Sequence, residues 1–359
     1  MDRLRIAIIS RWNATCGESV HAELIGRKLV ELGYRVRVYA PTIASASRDW
    51  HHRVVGSDED YVERVYDEGE DPSKGVFRGE SLLEYDPDII IVEAYYRLPM
   101  NSLRSVLVKA KSKGSRIVLV LHEGVAERAW RLLLAPFDKL VVFDHRWIRE
   151  VLYPVRDLVC GKVEVIPYPC AEPPPGVRVY RPEWARGKIL LVSFGRQPFE
   201  EYVDYVRALK LLSRRYSLVY YIVRSDCRRP PFSYPWVRFE CRRLSLREVF
   251  SLLEASDIHL LPKGWTSKVV VSSTVYQTLS SLTPIVAPDT RYFETIRTDE
   301  RGLGAIVKYF CVEDLRDKIA MLIDDESVRE LVRSEAKRLL EECSTSIVSK
   351  RIVEAALGS

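Results

Sequence analysis

Lys268, Ser272 and Ser273 fall close together in the segment GWTSKVVVSST, and their types suit the holding of an anion. An ammonium group supplies a full charge, and hydroxyl residues cap the start of a helix, whose first N–H groups are unpaired and lie at the positive end of the dipole. Without a ligand the same residues make an ordinary strand-to-helix turn, and this stretch alone leaves both readings open. A second candidate is the pair His122 and Glu123, which with Gly124 closes the aliphatic run RIVLVL. An imidazole exchanges a proton near neutrality; the structural alternative is a histidine at a helix start, bonded to backbone. Gly195 and Arg196 make the turn after the aliphatic run ILLVSF.

These residues are positioned by a repeated alternation of strands and helices. Around the first candidate, Val249, Phe250, Leu252 and Leu253 recur at helical spacing before the apolar run 258–261, and Pro262 and Gly264 stop the strand. Val275, Leu279 and Leu282 then give the apolar side of a second helix, and 284–287 a further strand. The chain begins in the same manner: a strand at 5–10, a loop through Gly17, a helix over 19–32 with Leu24, Ile25, Leu29 and Leu32 inward, Gly33 at its end, and a strand at 36–40. The first turn lacks the glycines of a G-x-G-x-x-G dinucleotide fingerprint, so no dinucleotide cofactor is expected. Residues 45–85 are polar and acidic, with Asp58, Glu59 and Asp60 and a second cluster from Glu68 to Asp71, and read as a solvated surface insertion without metal-ligand spacing.

Strands then follow at 89–93, 116–121, 140–143 and 163–167, with helices near 102–113, 126–134 and 146–153. In a parallel sheet the carboxyl ends of the strands form the ligand face, which favours a functional role for His122 and Glu123. The helix at 146–153 carries Arg146 and Arg149 beside Trp147, Ile148, Val151 and Leu152. Such a basic amphipathic helix more often covers a sheet than lies on a membrane, and peripheral membrane association stays open. The stretch CAEPPPGVRVYRPEW at 170–184 breaks the pattern with four prolines and reads as an interdomain linker. After it the alternation restarts, with strands at 189–194, 218–223, 237–241, 258–261, 284–287 and 306–310 and helices near 202–216, 312–323, 327–341 and 346–357. The expected domains are 1–170, a linker at 171–187, 188–340, and a terminal helix at 341–359 that packs back on the first domain.

At 359 residues the chain can fill two domains, and 47% apolar with 29% charged residues marks a globular protein. Its aliphatic runs are far shorter than the roughly 20 residues of a membrane helix, and the start MDRLRIAIIS passes directly into a strand, so a cytoplasmic location is expected. Asparagine occurs only at Asn13 and Asn101 and glutamine only at Gln197 and Gln277, the composition of a heat-adapted organism. The 7 cysteines have no C-x-x-C pair, which disfavours a zinc site and makes free thiols the default, with a disulfide as the alternative in a heat-adapted cell. A net charge of +5 suits a small anionic ligand or an acidic membrane surface and falls short of a nucleic-acid footprint.

The order of parts resembles the retaining glycosyltransferases of the GT-B fold, the glycogen-synthase-like group 1 or family 4-like enzymes. HAELIGRKLVELGYRVRVYAP, VLHEG, VEVIPYPC, ILLVSFGRQPFEEYVDYVRAL, LSLREVFSLLEASDIHLLPKG and SLTPIVAPDTRYFETI carry the resemblance, which spans nearly the whole chain. It implies an α/β architecture of two doubly wound, Rossmann-like domains facing a central cleft, the first on the acceptor side and the second holding a nucleotide sugar. It also implies a hexosyltransferase that moves a sugar from a UDP-, GDP- or ADP-linked donor, with retention, to a sugar, lipid, glycan or polyol acceptor, without cofactor or metal. By residue, it implies His122 facing the transferred sugar, Arg196, Lys268, Ser272, Ser273, Gln277 and Glu294 at the donor, and Gly17 and Glu123 in acceptor-side loops. The departures are specific. Counted back from Pro284, the two glutamates of the family's E-x7-E pair would fall at Val269 and Gln277, and the lysine five residues after the turn arginine is Glu201. An anion near a diphosphate is costly unless the loop is arranged differently or Lys268 substitutes. The alternative reading is therefore a GT-B-shaped nucleotide- or sugar-binding protein without turnover.

Overall fold

The computed structural model describes residues 4–47 and 53–358; the part of the 45–85 segment at 48–52 lies outside the described residues. The chain divides into two compact units. The first comprises Met1–Pro169, Lys268–Ser273 and Cys343–Ser359, and the second Cys170–Ser267 and Thr274–Glu342. The expected linker segment thus belongs to the second unit. The short segment Lys268–Ser273, expected in the second domain, groups with the first.

The first unit is built on an eight-stranded sheet: β1 (Arg5–Ile9), β2 (Arg35–Pro41), β3 (Val62–Glu68), β4 (Gly75–Phe77), β5 (Ile89–Ala94), β6 (Arg116–Leu121), β7 (Lys139–Val142) and β8 (Val163–Val165). The order is β4-β3-β2-β1-β5-β6-β7-β8, parallel throughout except for the antiparallel β3–β4 pair. The second unit has the six-stranded parallel sheet β11-β10-β9-β12-β13-β14. Its strands are β9 (Ile189–Phe194), β10 (Leu218–Arg224), β11 (Val237–Cys241), β12 (Ile258–Leu260), β13 (Ile285–Pro288) and β14 (Val307–Tyr309). In each sheet the order reverses once, between β1 and β5 and between β9 and β12. Such a switch point leaves an open crevice at the carboxyl ends of the strands, because the following loops diverge to opposite faces.

The central strands are aliphatic on both faces because helices cover both sides of a parallel sheet. All of β5 and β10 are buried. The helix Gly17–Glu31 lies against the first sheet so closely that a Cβ at Gly26 would stand 2.8 Å from the Trp12 ring and 3.0 Å from Ile8. The helix Thr345–Leu357, opened by Ser344 and closed by Gly358 at positive φ, contacts Gly17–Glu31 and β6 within the same unit. In the second unit Ser245 and Glu248 form a reciprocal capping box at the start of the helix Leu246–Glu254.

Two expectations need correction, and the acidic cluster and the cysteines are resolved in detail. Residues 45–85 are not a featureless insertion: β3, β4 and the helix Glu80–Tyr85 extend the first sheet, and the partly exposed residues of an edge strand hid its period. The acidic cluster there is structural, with Asp58 paired to Arg64 at 2.7 Å and Glu59 to Arg27 at 2.8 Å. The stretch expected as one helix at 146–153 is a π-helix, Trp147–Leu152, followed by a 3-10 turn, Tyr153–Val155, since Pro154 cannot donate to the helical ladder. Trp147, Val151 and Leu152 are buried, so this element covers the sheet. Finally, Cys227 and Cys241 form a disulfide across Cα atoms 4.6 Å apart, while Cys16, Cys160 and Cys311 are free thiols.

Candidate functional site

In the first unit the switch point between β1 and β5 gathers buried charge. Glu93, near the end of β5, is fully buried; its Oε1 lies 2.9 Å from Nδ1 of His21 and its Oε2 2.5 Å from Nε2 of His122. The neighbouring strand β6 delivers His122, whose backbone N–H donates to the carbonyl of Ala94 at 3.0 Å. His21 comes from the helix Gly17–Glu31 and is enclosed by aromatic rings: His122 at 5.2 Å, Phe143 at 5.4 Å and Tyr168 at 5.2 Å between centroids. Burial works against a charge on Glu93, yet His21 and His122 outweigh it and hold the carboxyl down to about 2. Burial lowers His21 as well.

Glu18, one turn earlier on the same helix, faces this cluster. Burial again opposes its charge, and Arg11 and then His122 hold it at about 2. Arg11 is itself buried, donating to Glu68 at 2.5 Å with its guanidinium 4.2 Å from the Tyr95 ring centroid. Cys16 precedes the helix, but burial and the Glu18 charge push its thiol up to about 12, so it is not a thiolate nucleophile. The ligand atoms of His21, Glu93 and His122 all lie within 4.8 Å of one another, a group that could hold a metal ion.

The structure brings several of the expected residues to this end of the first unit. Gly17 opens the helix and its carbonyl accepts from the Tyr168 hydroxyl at 2.7 Å; a Cβ at Gly17 would stand 3.6 Å from Ser273. Glu123 accepts from the backbone N–H of Val125 at 3.0 Å, and burial raises its pKa against the opposing charges of Arg128 and Lys268. Val269 N–H donates to the Gly124 carbonyl at 3.2 Å, and Arg146 donates to the Val270 carbonyl at 2.9 Å. These bonds explain why Lys268, Ser272 and Ser273 group with the first unit. Val269 is 3% exposed, and Ser272 is 2% exposed with no hydrogen-bond partner for its hydroxyl. The helix that follows is shorter than its apolar spacing suggests: it runs Ser273–Thr278, turns to 3-10 geometry over Leu279–Ser281 and ends at Leu282, whose φ is 57°. The Thr278 hydroxyl bonds back to the Thr274 carbonyl at 2.8 Å, and such back-bonding weakens and bends short helices.

In the second unit Arg196 follows β9 at the β9/β12 switch point, after Gly195 at φ 121°. The φ of Gly195 requires glycine there, and a Cβ would stand 2.8 Å from the Gln197 amide, displacing that side chain. Burial and the charge of Arg196 lower the pKa of Arg243, which places two guanidinium groups near one another. Glu201, which stands where the resembled family has lysine, faces Lys263 in the loop after β12. Gly264 leaves the space for it, since a Cβ there would stand 2.7 Å from Glu201 Oε1. Burial lowers the Lys263 pKa and Glu201 opposes this. The Lys263 ammonium also stands 5.0 Å from the Tyr292 ring centroid. Lys263 is thus a cation of this unit that feels the Glu201 charge, while Glu201 Oε2 is itself buried without a hydrogen-bond partner; Lys268 groups with the first unit. Gln277 is half-buried on the helix Ser273–Thr278, and Glu294 is exposed, 3.7 Å from Arg291. A surface hollow lined by Ile189, Asp257 and Pro284 lies at the amino ends of β9, β12 and β13, the opposite end of the sheet from Arg196.

Glu93, His21, Glu18, Arg243 and Lys263 were not anticipated. The available signal was Glu93 itself, a carboxylate inside the apolar run IIIVEA.

No family model matches the chain. Among solved structures, a glycosyltransferase from Rickettsia africae is similar over 100% of this chain and 99% of its own, with TM-score 0.68 at 11% identity. Anabaena HepE in complex with UDP-glucose is similar over 99% of this chain and 100% of its own, with TM-score 0.63 at 11% identity. The chain has the GT-B fold. The trehalose-6-phosphate synthase OtsA is a further GT-B likeness, with TM-score 0.63 at 10% identity over 99% of each chain. At such identity the comparison carries the GT-B architecture, and the chemistry rests on this chain's own residues.

Proposed function

We propose that this chain is a glycosyltransferase that takes a hexose from a UDP-, GDP- or ADP-linked sugar and transfers it, with retention, to a glycan, lipid or polyol acceptor without a metal ion. The observation that carries the reading is the full-length GT-B likeness to structures that include one bound to UDP-glucose. The strand-end residues fit the chemistry. A nucleoside diphosphate gains negative charge as the glycosidic bond breaks, and Arg196, backed by Arg243, is the fixed donor for it. His122 faces the transferred sugar. The exposed Tyr153 and Leu158 beside Arg149 and Arg156 are the surface for peripheral membrane contact in this reading.

The test is turnover of UDP-, GDP- and ADP-glucose by the full chain at elevated temperature. Arg196→Ala and His122→Ala should each reduce it by roughly 100-fold or more. Binding without turnover across the donor panel favours the second reading, a GT-B protein that holds a nucleotide or sugar without transfer. One observation supports that alternative: the position of one E-x7-E glutamate is the buried, backbone-bonded Val269.

A further inference from the structure

Glu93 is buried without a guanidinium or ammonium partner among the described residues; the groups that meet its oxygens are two imidazoles. An ionised carboxylate only accepts hydrogen bonds, so each ring nitrogen facing it must carry the proton. That requires the proton on Nε2 of His122 and on Nδ1 of His21; in the neutral ring, His122 is then the Nε2–H form with Nδ1 as the acceptor. The three groups are not equally accessible. The His122 side chain is 7% exposed, against 1% for His21 and 0% for Glu93, so His122 is the member a substrate can reach.

We propose that Glu93 is the positioning residue of His122: it holds Nε2–H and so presents the Nδ1 lone pair to a hydroxyl of the bound sugar, with His21 anchoring the second carboxylate oxygen. The inference rests on the reading of His122 as the sugar-facing residue and adds which atom faces the sugar and what fixes it. Packing makes the arrangement rigid. Phe143 lies 5.0 Å from the His122 ring and 5.4 Å from His21, and Tyr168 closes the other side of His21 while bonding to the Gly17 carbonyl. Rotation of His122 to offer Nε2 outward would leave the Glu93 carboxylate with one donor in a dry site, a costly state. His21 has the converse role: being enclosed, it serves Glu93 and does not meet the sugar.

The experiment uses the full chain labelled with ¹⁵N-histidine, observed by long-range ¹H–¹⁵N spectra, with His122→Ala identifying the relevant signals. The wild-type spectrum should show His122 protonated at Nε2 and unprotonated at Nδ1, and the Nδ1 shift should move on addition of UDP-glucose. Glu93→Gln should mix the two His122 forms and lower kcat by roughly 10-fold or more with little change in KM, while Glu93→Asp should restore part of both. A wild-type His122 protonated at Nδ1 would overturn the proposal, and that result needs no variant to fold. Bound zinc found by elemental analysis, with both carboxylate-facing nitrogens unprotonated, would also overturn it, because those nitrogens would then be metal ligands. Full turnover in His122→Ala, with the Nε2–H form seen in the wild type, would instead sink the assignment of His122 to the sugar while leaving the Glu93 geometry intact.

Discussion

At the scale of single residues, the buried titratable groups set the pH behaviour of the molecule. His259 in β12 is fully buried, stacked on Phe194 at 5.3 Å, with neither ring nitrogen hydrogen-bonded. Burial pushes its pKa down to about 3 from 6.5. The unfolded chain therefore binds a proton that the folded chain refuses, and stability is full above 6.5 and lost as the pH falls toward 3, by at most about 1.4 kcal/mol per pH unit from this group. Chemical denaturation of wild type and His259→Phe between pH 7 and pH 4 should show a smaller loss in the variant; equal slopes would remove His259 from the account. Glu93 acts in the same direction but lower: its carboxyl is held at about 2 against 4.5 in the unfolded chain, so its contribution is present above 4.5 and lost progressively as the pH falls from there toward 2. Glu93 also shows why this site was only half legible from the sequence. His122 stood out at the end of an aliphatic run, whereas its partners are distant in the chain: Glu93 is 29 residues from His122 and 72 from His21.

At the scale of elements, continuous aliphatic runs were read well because strands buried on both faces need no alternation; 116–121 and 189–194 coincide with β6 and β9. Edge strands were not. The burial of β3 alternates irregularly and β4 is three residues long, so composition made them resemble a loop. The loop Lys268–Ser273 groups with the first unit for a reason that is equally hidden in the sequence. What holds it is a backbone bond from Val269 to Gly124, which no side-chain pattern announces. A Cβ at Gly124 would stand 1.7 Å from the Val269 carbonyl oxygen, so Gly124→Ala must displace that loop. We expect a loss of about 1–3 kcal/mol in unfolding free energy together with reduced turnover, measured side by side; unchanged values for both would show that the loop is not seated there. The Cys227–Cys241 disulfide closes a loop with a sequence separation of 14 and ties the end of β10 to the edge strand β11. Replacing both cysteines with serine should lower stability by about 3 kcal/mol by the loop-entropy estimate, read from denaturation midpoints without reductant. An unchanged midpoint would show that the bond does not form in solution.

At the scale of the whole molecule, two parallel sheets with one order reversal each were legible from the strand–helix alternation and the proline-rich break, and they are what the GT-B comparison matches end to end. Among the described residues no helix is long and apolar enough to cross a membrane. Substrate was less legible than fold, because the E-x7-E carboxylates that would mark a donor site are Val269 and Gln277, and Glu201 takes the place of a lysine. In the second unit Lys263 lies near enough to Glu201 to feel its charge, and the charge of Arg196 bears on Arg243. The central claim is that the carboxyl end of β9 holds a nucleoside diphosphate. Its most direct test is isothermal titration of the full chain with UDP, GDP and ADP, in wild type and Arg196→Ala. The account predicts that at least one diphosphate binds and that its affinity falls by roughly 10-fold or more in the variant, the loss of a charge-assisted hydrogen bond. Absence of binding for all three, or equal affinity in wild type and Arg196→Ala, would contradict it.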